Sequence, residues 1–319
     1  MNIDGFKMIC QASCDDLREW LTKELTAYYG AGSIIANEDY IFCIGNCGTG
    51  LCAHLDTVHK EQPETFIYNA QDNTMSSPQG IGGDDRCGVY AILRILYELK
   101  EKNIKPFLFF STDEETGGST TKKAAKEVKS RAFGINYLIE LDRQGSKDSV
   151  YYKCDNKEFK KWIDSFGFVE ANGSFTDICT LCKEWDLAGV NFSVGYTKNH
   201  TLAEVVNFND LEATIQKTIR IIENSKPDEM FLFCEKKETI TTYYGNKSFY
   251  RAGDTIETAI DTIGFVVGNE KSFVEEYVEI DAYSIFKVIE VNLDEVCVNY
   301  NGKNVWINRE DVRFSTFTK

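Results

Sequence analysis

The sequence predicts an α/β fold, a mostly parallel but mixed sheet sandwiched by helices, followed by a small all-β, barrel-like domain. Up to about residue 223, short apolar runs alternate with amphipathic helical patterns, as they do where crossover helices join the strands of one sheet. Composition changes at Asn224-Ser225-Lys226-Pro227-Asp228, and only short β-rich runs follow. The length of 319 residues suffices for a large domain, 1–226, and a small one, 227–319.

From Asp15 to Tyr29 the pattern is that of an amphipathic helix with acidic residues in its first turn and Gly30 as its stop. Strands are expected at Ser33 to Ala36 and Tyr40 to Ile44, then at Leu51 to Asp56 after a Gly-rich turn. The polar segment Lys60 to Gln79 reads as a surface loop. Gly82 to Gly88 opens a helix on which Val89, Ile92, Leu93 and Leu96 recur at helical spacing. Pro106 to Phe110 is a buried strand, Ser119 to Ser130 a helix and Tyr137 to Asp142 a strand. A strand at Val150 to Tyr152 and a helix at Lys157 to Phe166 come next. A helix across Asp177 to Glu184, capped by Ser174 or Thr176, precedes a strand at Val190 to Val194. The long helix after Asn209 carries Leu211, Ile215, Ile219 and Ile222 on one face.

In the small domain, strands are expected at Phe231 to Phe233, Thr239 to Tyr244, Thr262 to Val267 and Ser284 to Val291. Val296 to Tyr300 and Asn304 to Ile307 flank an Asn301-Gly302 hairpin turn. The aromatics Tyr243, Tyr244, Phe249, Tyr250 and Trp306 are read mainly as core, with a recognition surface as the alternative.

Formal net charge is -15 and the sequence pI is near 4.8, which argues against a track for nucleic-acid phosphates and favours cations. The eleven cysteines are scattered through apolar runs and read as free thiols of a reducing, cytoplasmic compartment. Cys179 and Cys182 have the spacing of a redox or zinc pair, but no second pair accompanies them. The first residues lack a cationic segment leading into an apolar core, so no signal peptide is expected. No apolar stretch is long enough to span a bilayer, and no membrane partner is expected.

Chemistry concentrates where apolar strands end in ligating residues: His54 with Asp56, Asp84, Glu114 with Glu115, Asp142, and His200. Open α/β sheets place their sites at such ends. Only His54, His59 and His200 are histidines, and two of them lie there. Imidazole mixed with carboxylate suits Zn²⁺, with Mn²⁺ or Co²⁺ as alternatives. Five ligands exceed what one tetrahedral zinc takes from protein and fit two metals sharing a carboxylate. Adjacent glutamates point in different directions, so one can bind metal while the other handles a proton.

The segments His-Leu-Asp-Thr-Val (54–58), Gly-Gly-Asp-Asp-Arg-Cys-Gly (82–88), Asp-Glu-Glu-Thr-Gly-Gly (113–118), Leu-Asp-Arg (141–143) and Asn-His-Thr-Leu-Ala-Glu (199–204) occur in that order. Together they resemble the ligand motifs of the co-catalytic dizinc exopeptidases, a superfamily of tripeptidases, aminopeptidases, carboxypeptidases and amino-acid deacylases. The resemblance covers residues from about 10 to 224. It implies that Asp84 bridges two metals, with His54 and Asp142 completing one and Glu115 and His200 the other. It further implies that Asp56 orients His54, that Glu114 is the general base, and that the Asp84-Asp85 peptide is cis. The lid or dimerisation domain carried by many relatives between the fourth ligand and the last histidine has no room here. The expected activity is therefore that of an aminopeptidase on small peptides. Deacylation of N-acyl amino acids or peptidoglycan fragments at the same site is the alternative, and a silent binding protein is the third. Arg143 is a candidate for a substrate carboxylate or a surface ion pair, and His59 a candidate substrate contact. Asp177 is assigned to helix capping or the substrate side, and Glu140 to a substrate ammonium or a surface pair. Self-association remains open.

Overall fold

The computed structural model describes residues 2–236, 252–258, 262–267, 274–281, 284–291, 295–308 and 311–314. The chain forms two compact units, residues 1–237 and 238–319. The first contains α1 (Ile3–Gln11), α2 (Cys14–Tyr29), β1 (Ile34–Ala36), β2 (Tyr40–Cys43), β3 (Thr49–His54), β4 (Ile67–Asn69), β5 (Thr74–Ser76), α3 (Gly83–Leu99), β6 (Phe107–Ser111), α4 (Ser119–Glu127), β7 (Tyr137–Arg143), β8 (Asp148–Val150), α5 (Lys157–Asp164), β9 (Val169–Ala171), α6 (Asp177–Trp185), β10 (Gly189–Ser193), β11 (Tyr196–Thr197), β12 (Val205–Asn207) and α7 (Phe208–Asn224).

Eight strands make the main sheet in the order β1-β2-β6-β3-β7-β10-β8-β9. Its centre, β6-β3-β7-β10, is parallel, while β1, β2 and β8 pair antiparallel with their inner neighbours. Strand alternation divides the side chains between two cores. Leu51 and Ala53, Leu108 and Phe110, and Ile139 and Leu141 pack with α1, α2, α3, α5 and α7 on one face. Cys52, Phe107, Phe109 and Leu138 pack on the other with Ala124 and Ala125 of α4 and Ile178, Leu181 and Trp185 of α6. By the same period, His54, Ser111 and Asp142 project on the α4/α6 face at the C-terminal ends of three adjacent parallel strands.

Local signals set the helix ends. Ser13 caps α2 by accepting from Asp16 N, and Gly30, with φ 91°, ends it in a conformation glycine adopts without strain. Asn207 caps α7 through Asn209 N and Asp210 N. Helix α1 went unread in the sequence; Asn2 caps it and Phe6 anchors it against Tyr90 and Phe208.

The segment Lys60 to Gln79 is not a plain loop. It contains β4 and β5, which join β12 and β11 in a four-stranded sheet. These strands are three residues long, β4 is exposed throughout, and the partner β12 lies well over a hundred residues along the chain, so no local periodicity marks them. Phe231 to Phe233 is not a strand either. Leu232 makes one bridge to Leu187, and Phe231 N–H donates to the Asn136 carbonyl, so this segment packs on the first unit. All eleven cysteines are free, and seven are buried. No helix among the described residues is long and apolar enough to cross a membrane.

The second unit contains β13 (Thr255–Thr258), β14 (Thr262–Val267), β15 (Val274–Ile280), β16 (Ile285–Val291), β17 (Glu295–Tyr300), β18 (Lys303–Asn308) and β19 (Val312–Phe314), in the sheet order β15-β14-β18-β17-β16-β13-β19. Its core comprises Ile256, Ile280, Val288, Val296, Val298, Val305, Ile307 and Val312. Asn301 and Gly302, both at positive φ, turn β17 into β18 with Tyr300 opposite Lys303. Trp306 lies between the inward Val305 and Ile307 and so faces away from this core, half-buried, which corrects the core reading. The Thr239 to Tyr244 strand and Tyr243, Tyr244, Phe249 and Tyr250 lie outside the described residues.

Candidate metal centre

His54, the last residue of β3, has its two ring nitrogens in different surroundings. Nδ1 lies 3.2 Å from Asp56 Oδ1 and 3.1 Å from the Asp56 carbonyl. A carboxylate there holds the proton on Nδ1 and leaves Nε2 as a lone-pair donor. Nε2 is 3.1 Å from Asp84 Oδ1 and 3.6 Å from Asp142 Oδ1. The same Asp56 carboxylate accepts Glu114 N–H at 3.3 Å and Glu115 N–H at 3.1 Å, which fixes the turn after β6.

Asp84 stands at the start of α3, and its peptide bond to Asp85 is cis. While Oδ1 faces His54, Oδ2 is 3.2 Å from His200 Nε2 and accepts Asn199 Nδ2 at 3.1 Å. His200 Nε2 also lies 3.1 Å from Glu115 Oε2. Two groups of donors result, His54/Asp84/Asp142 and Asp84/Glu115/His200, with the ligand atoms in each within 4.8 Å of one another. Asp84 belongs to both.

The donor chemistry fits divalent ions. Each group offers two carboxylates and one imidazole, a mixture suited to zinc, manganese or cobalt. Glu115 Oε1 is buried without a hydrogen-bond partner among the described residues. The protein's own groups leave the cluster short of positive charge. Burial, reinforced by the Asp142, Asp177 and Glu115 carboxylates, pushes the Glu114 carboxyl up to about 9. Burial and Asp84 raise Asp142 to about 7. Although burial disfavours its charge, His200 is raised to about 11 by Asp84 and Glu115. Asp84 itself is held low, against its burial, by His200 and His54.

Further groups hold the ligands. Asp142 Oδ2 accepts the Thr176 hydroxyl at 3.0 Å, Oδ1 accepts the Tyr196 hydroxyl at 3.1 Å, and the backbone N–H donates to Asn191 Oδ1. Asp85, fully buried, accepts His54 N–H and Gly88 N–H. Of these, only Asp85 fell inside a motif; Thr176 was marked only as a helix cap, Tyr196 and Asn191 carry no sequence signal, and all three reach Asp142 through the fold. Glu204 and Asn199 lie inside the His200 motif, whose length was their only cue.

The remaining candidate residues take distinct places. His59 is not in either donor group: its Nε2 lies 3.3 Å from Glu204 Oε2, and Glu204 Oε1 accepts the Asp84 N–H at 3.0 Å. Arg143 Nε lies 3.8 Å from Asp148 Oδ2, its one ion pair among the described residues. Asp177 accepts the Ser111 and Thr121 hydroxyls and so ties α6 to β6 and α4. Thr176 makes no capping bond to α6, its hydroxyl being turned to Asp142. Glu140 is neither on the surface nor paired. It is 0% exposed, both its oxygens lack partners among the described residues, and burial raises its carboxyl well above the ordinary range.

No family model and no curated protein matches the sequence. Solved structures do match the fold. Aminopeptidase PepT from Bacillus cereus ATCC 10987 is 14% identical, with a TM-score of 0.57 over 69% of this chain and 97% of its own. An aminopeptidase from the archaeon Desulfurococcus kamchatkensis is 13% identical, with a TM-score of 0.56 over 71% and 96%. The TET1 peptidase of Pyrococcus horikoshii, which assembles into a tetrahedron or a large octahedral shell, is 12% identical, with a TM-score of 0.53 over 69% and 98%.

Proposed function

We infer, from the fold this chain shares with the co-catalytic dizinc exopeptidases and from its paired donor groups, that it is a metal-dependent hydrolase of small peptides. The reading is that of an aminopeptidase. The observation that carries it is Asp84, whose two oxygens face two separate histidine-and-carboxylate groups, as a carboxylate bridging two metals must. His54, Asp84 and Asp142 would hold one ion and Asp84, Glu115 and His200 the other, zinc being the first choice and manganese or cobalt the alternatives.

When bound, such a pair supplies Lewis acidity to the scissile carbonyl and to the attacking water. The chain's own groups do the rest. Glu114, half-buried and fixed through its backbone by Asp56, takes a proton from the water and returns it to the leaving amine, worth on the order of 10²- to 10⁴-fold. Asp56 keeps His54 in one tautomer while setting the Glu114-Glu115 turn. Five acids, Asp56, Asp84, Glu114, Glu115 and Asp142, carry more negative charge than two divalent ions neutralise. The surplus favours a substrate that brings an ammonium, and so a free amino terminus over an acylated one. Self-association belongs to the same reading, since the TET1 peptidase forms closed shells; sedimentation velocity measures it directly.

Metal quantification by inductively coupled plasma spectrometry, with hydrolysis of free and N-blocked aminoacyl amides by wild type and Glu114→Gln, tests the proposal. Near two metals per chain, with cleavage of free-amine substrates lost in the variant, is the expected result. Cleavage of N-acylated compounds alone would establish a deacylase instead. No metal and no turnover would leave a binding protein.

A further inference from the structure

Around a centre made of acids and imidazoles, two loops carry large apolar side chains into solvent. Phe175 is 41% exposed and immediately precedes Thr176, whose hydroxyl is bonded to Asp142. Its ring lies so close over Gly118 that a Cβ there would sit 3.2 Å from Phe175 Cζ, and Gly118 closes the turn that carries Glu114 and Glu115. Leu202 is 64% exposed, at the apex of the loop whose two ends, His200 and Glu204, both contact Asp84. The Leu202 loop is therefore pinned on both sides of its apolar residue, and Phe175 is pinned by its neighbour and by its own ring. Phe175 is held by the Thr176 bond and the Gly118 contact, Leu202 by the bonds to the Asp84 side chain and amide. An apolar side chain pinned in this way beside a charged centre is free to be covered by an apolar ligand that reaches the centre.

Building on the hydrolase reading, we propose that Phe175 and Leu202 are specificity-determining residues, apolar walls that receive the side chains flanking the scissile bond. The substrate class is that of small peptides with a free amino terminus and an aromatic or branched aliphatic residue at that bond. Glycyl, acidic and basic substrates gain nothing from these walls. One methylene in an apolar pocket is worth roughly 10- to 200-fold in discrimination, so removing a phenyl ring must be visible in a ratio of rates.

The test compares metal-loaded wild type, Phe175→Ala, Phe175→Leu and Leu202→Ala on phenylalanyl, leucyl, glycyl and glutamyl amides. Binding of phenylalanine hydroxamate and glycine hydroxamate by calorimetry supplies a readout independent of turnover. Wild type should prefer the phenylalanyl and leucyl compounds, and Phe175→Ala should cut the phenylalanyl-to-glycyl ratio of kcat/KM by about tenfold or more. Phe175→Leu should keep most of the leucyl preference, and Leu202→Ala should lower the ratio independently. Equal loss on all four substrates would make Phe175 a support for the Glu114 turn and overturn the proposal. So would a wild type without apolar preference in either assay. Wild type that neither turns over any amide nor binds either hydroxamate would overturn the hydrolase reading and this one with it. Turnover with an unchanged ratio would sink this one alone.

Discussion

On the proposed reading, metal binding at this centre expels protons. In the ion-free protein the Glu114 carboxyl sits near 9, Asp142 near 7 and the His200 imidazole near 11, with Glu115 also raised. Although burial disfavours its charge, His54 is likewise raised well above its ordinary value by Asp142, Asp56 and Asp84, so near neutrality several of these groups hold protons that divalent ions must displace, and loading the centre releases more than one. The overall binding constant should therefore rise by more than one decade per pH unit near neutrality. The sign for stability is opposite. These groups bind protons more tightly folded than unfolded, so their contribution is fully present only below the ordinary carboxylate range near 4 and is lost progressively as pH rises from there through 7 to 9. Asp84 and Asp56, held low, are fully ionised across that window and do not reverse the trend. The chelated protein should thus melt at progressively lower temperature from pH 6 to 9, while the increment on adding zinc grows. Isothermal titration in buffers of different ionisation enthalpy counts the protons, and differential scanning calorimetry reads the melting. Zinc binding without net proton release, or ion-free stability that climbs with pH, would refute the reasoning.

Other perturbations follow from the geometry. Asp56→Asn removes the charge that fixes the His54 tautomer and should weaken metal affinity by about 10- to 100-fold, measured by competition with a chelating dye. Glu114→Gln should retain both ions while kcat falls by about 10²-fold or more. Phe6→Ala removes a ring packed edge-on against Tyr90 and Phe208 and should cost about 3–5 kcal/mol in denaturant unfolding. Gly88→Ala would place a Cβ 2.1 Å from the Leu141 carbonyl, separating α3 from β7. The soluble variant, if recovered, should bind less metal, because Gly88 N–H also holds Asp85.

The α/β architecture was legible because its central strands are continuous apolar runs and its main helices are strongly amphipathic. The two donor groups were legible because His54 and Asp142 lie at the ends of such runs and Asp84 opens such a helix, while Glu115 and His200 lie in polar turns beyond one. What stayed hidden depends on distance along the chain. β4 and β5, three residues each and β4 exposed throughout, are too short to announce themselves without β12. Thr176 resembles a helix cap until Asp142, 34 positions earlier, is seen to take its hydroxyl. Glu140 has the residue type of the surface, yet strand alternation places it on the same face as Asp142, beneath α6 and fully buried. Trp306 invites a core assignment by type alone, whereas its neighbours Val305 and Ile307 fill the inward positions.

Glu204 closes the backbone around Asp84 from far downstream, and this has a bearing on biosynthesis. Made from the amino terminus, the chain exposes His54, Asp84 and Asp142 some sixty residues before His200 and Glu204 leave the ribosome. During that interval one donor group has all its members and the other lacks its imidazole, while the Asp84 amide awaits its acceptor. A nascent chain halted near residue 190 therefore carries the residues of one donor group alone, without the Asn191 and Tyr196 bonds that hold Asp142, and the paired centre needs the loop that ends at Glu204.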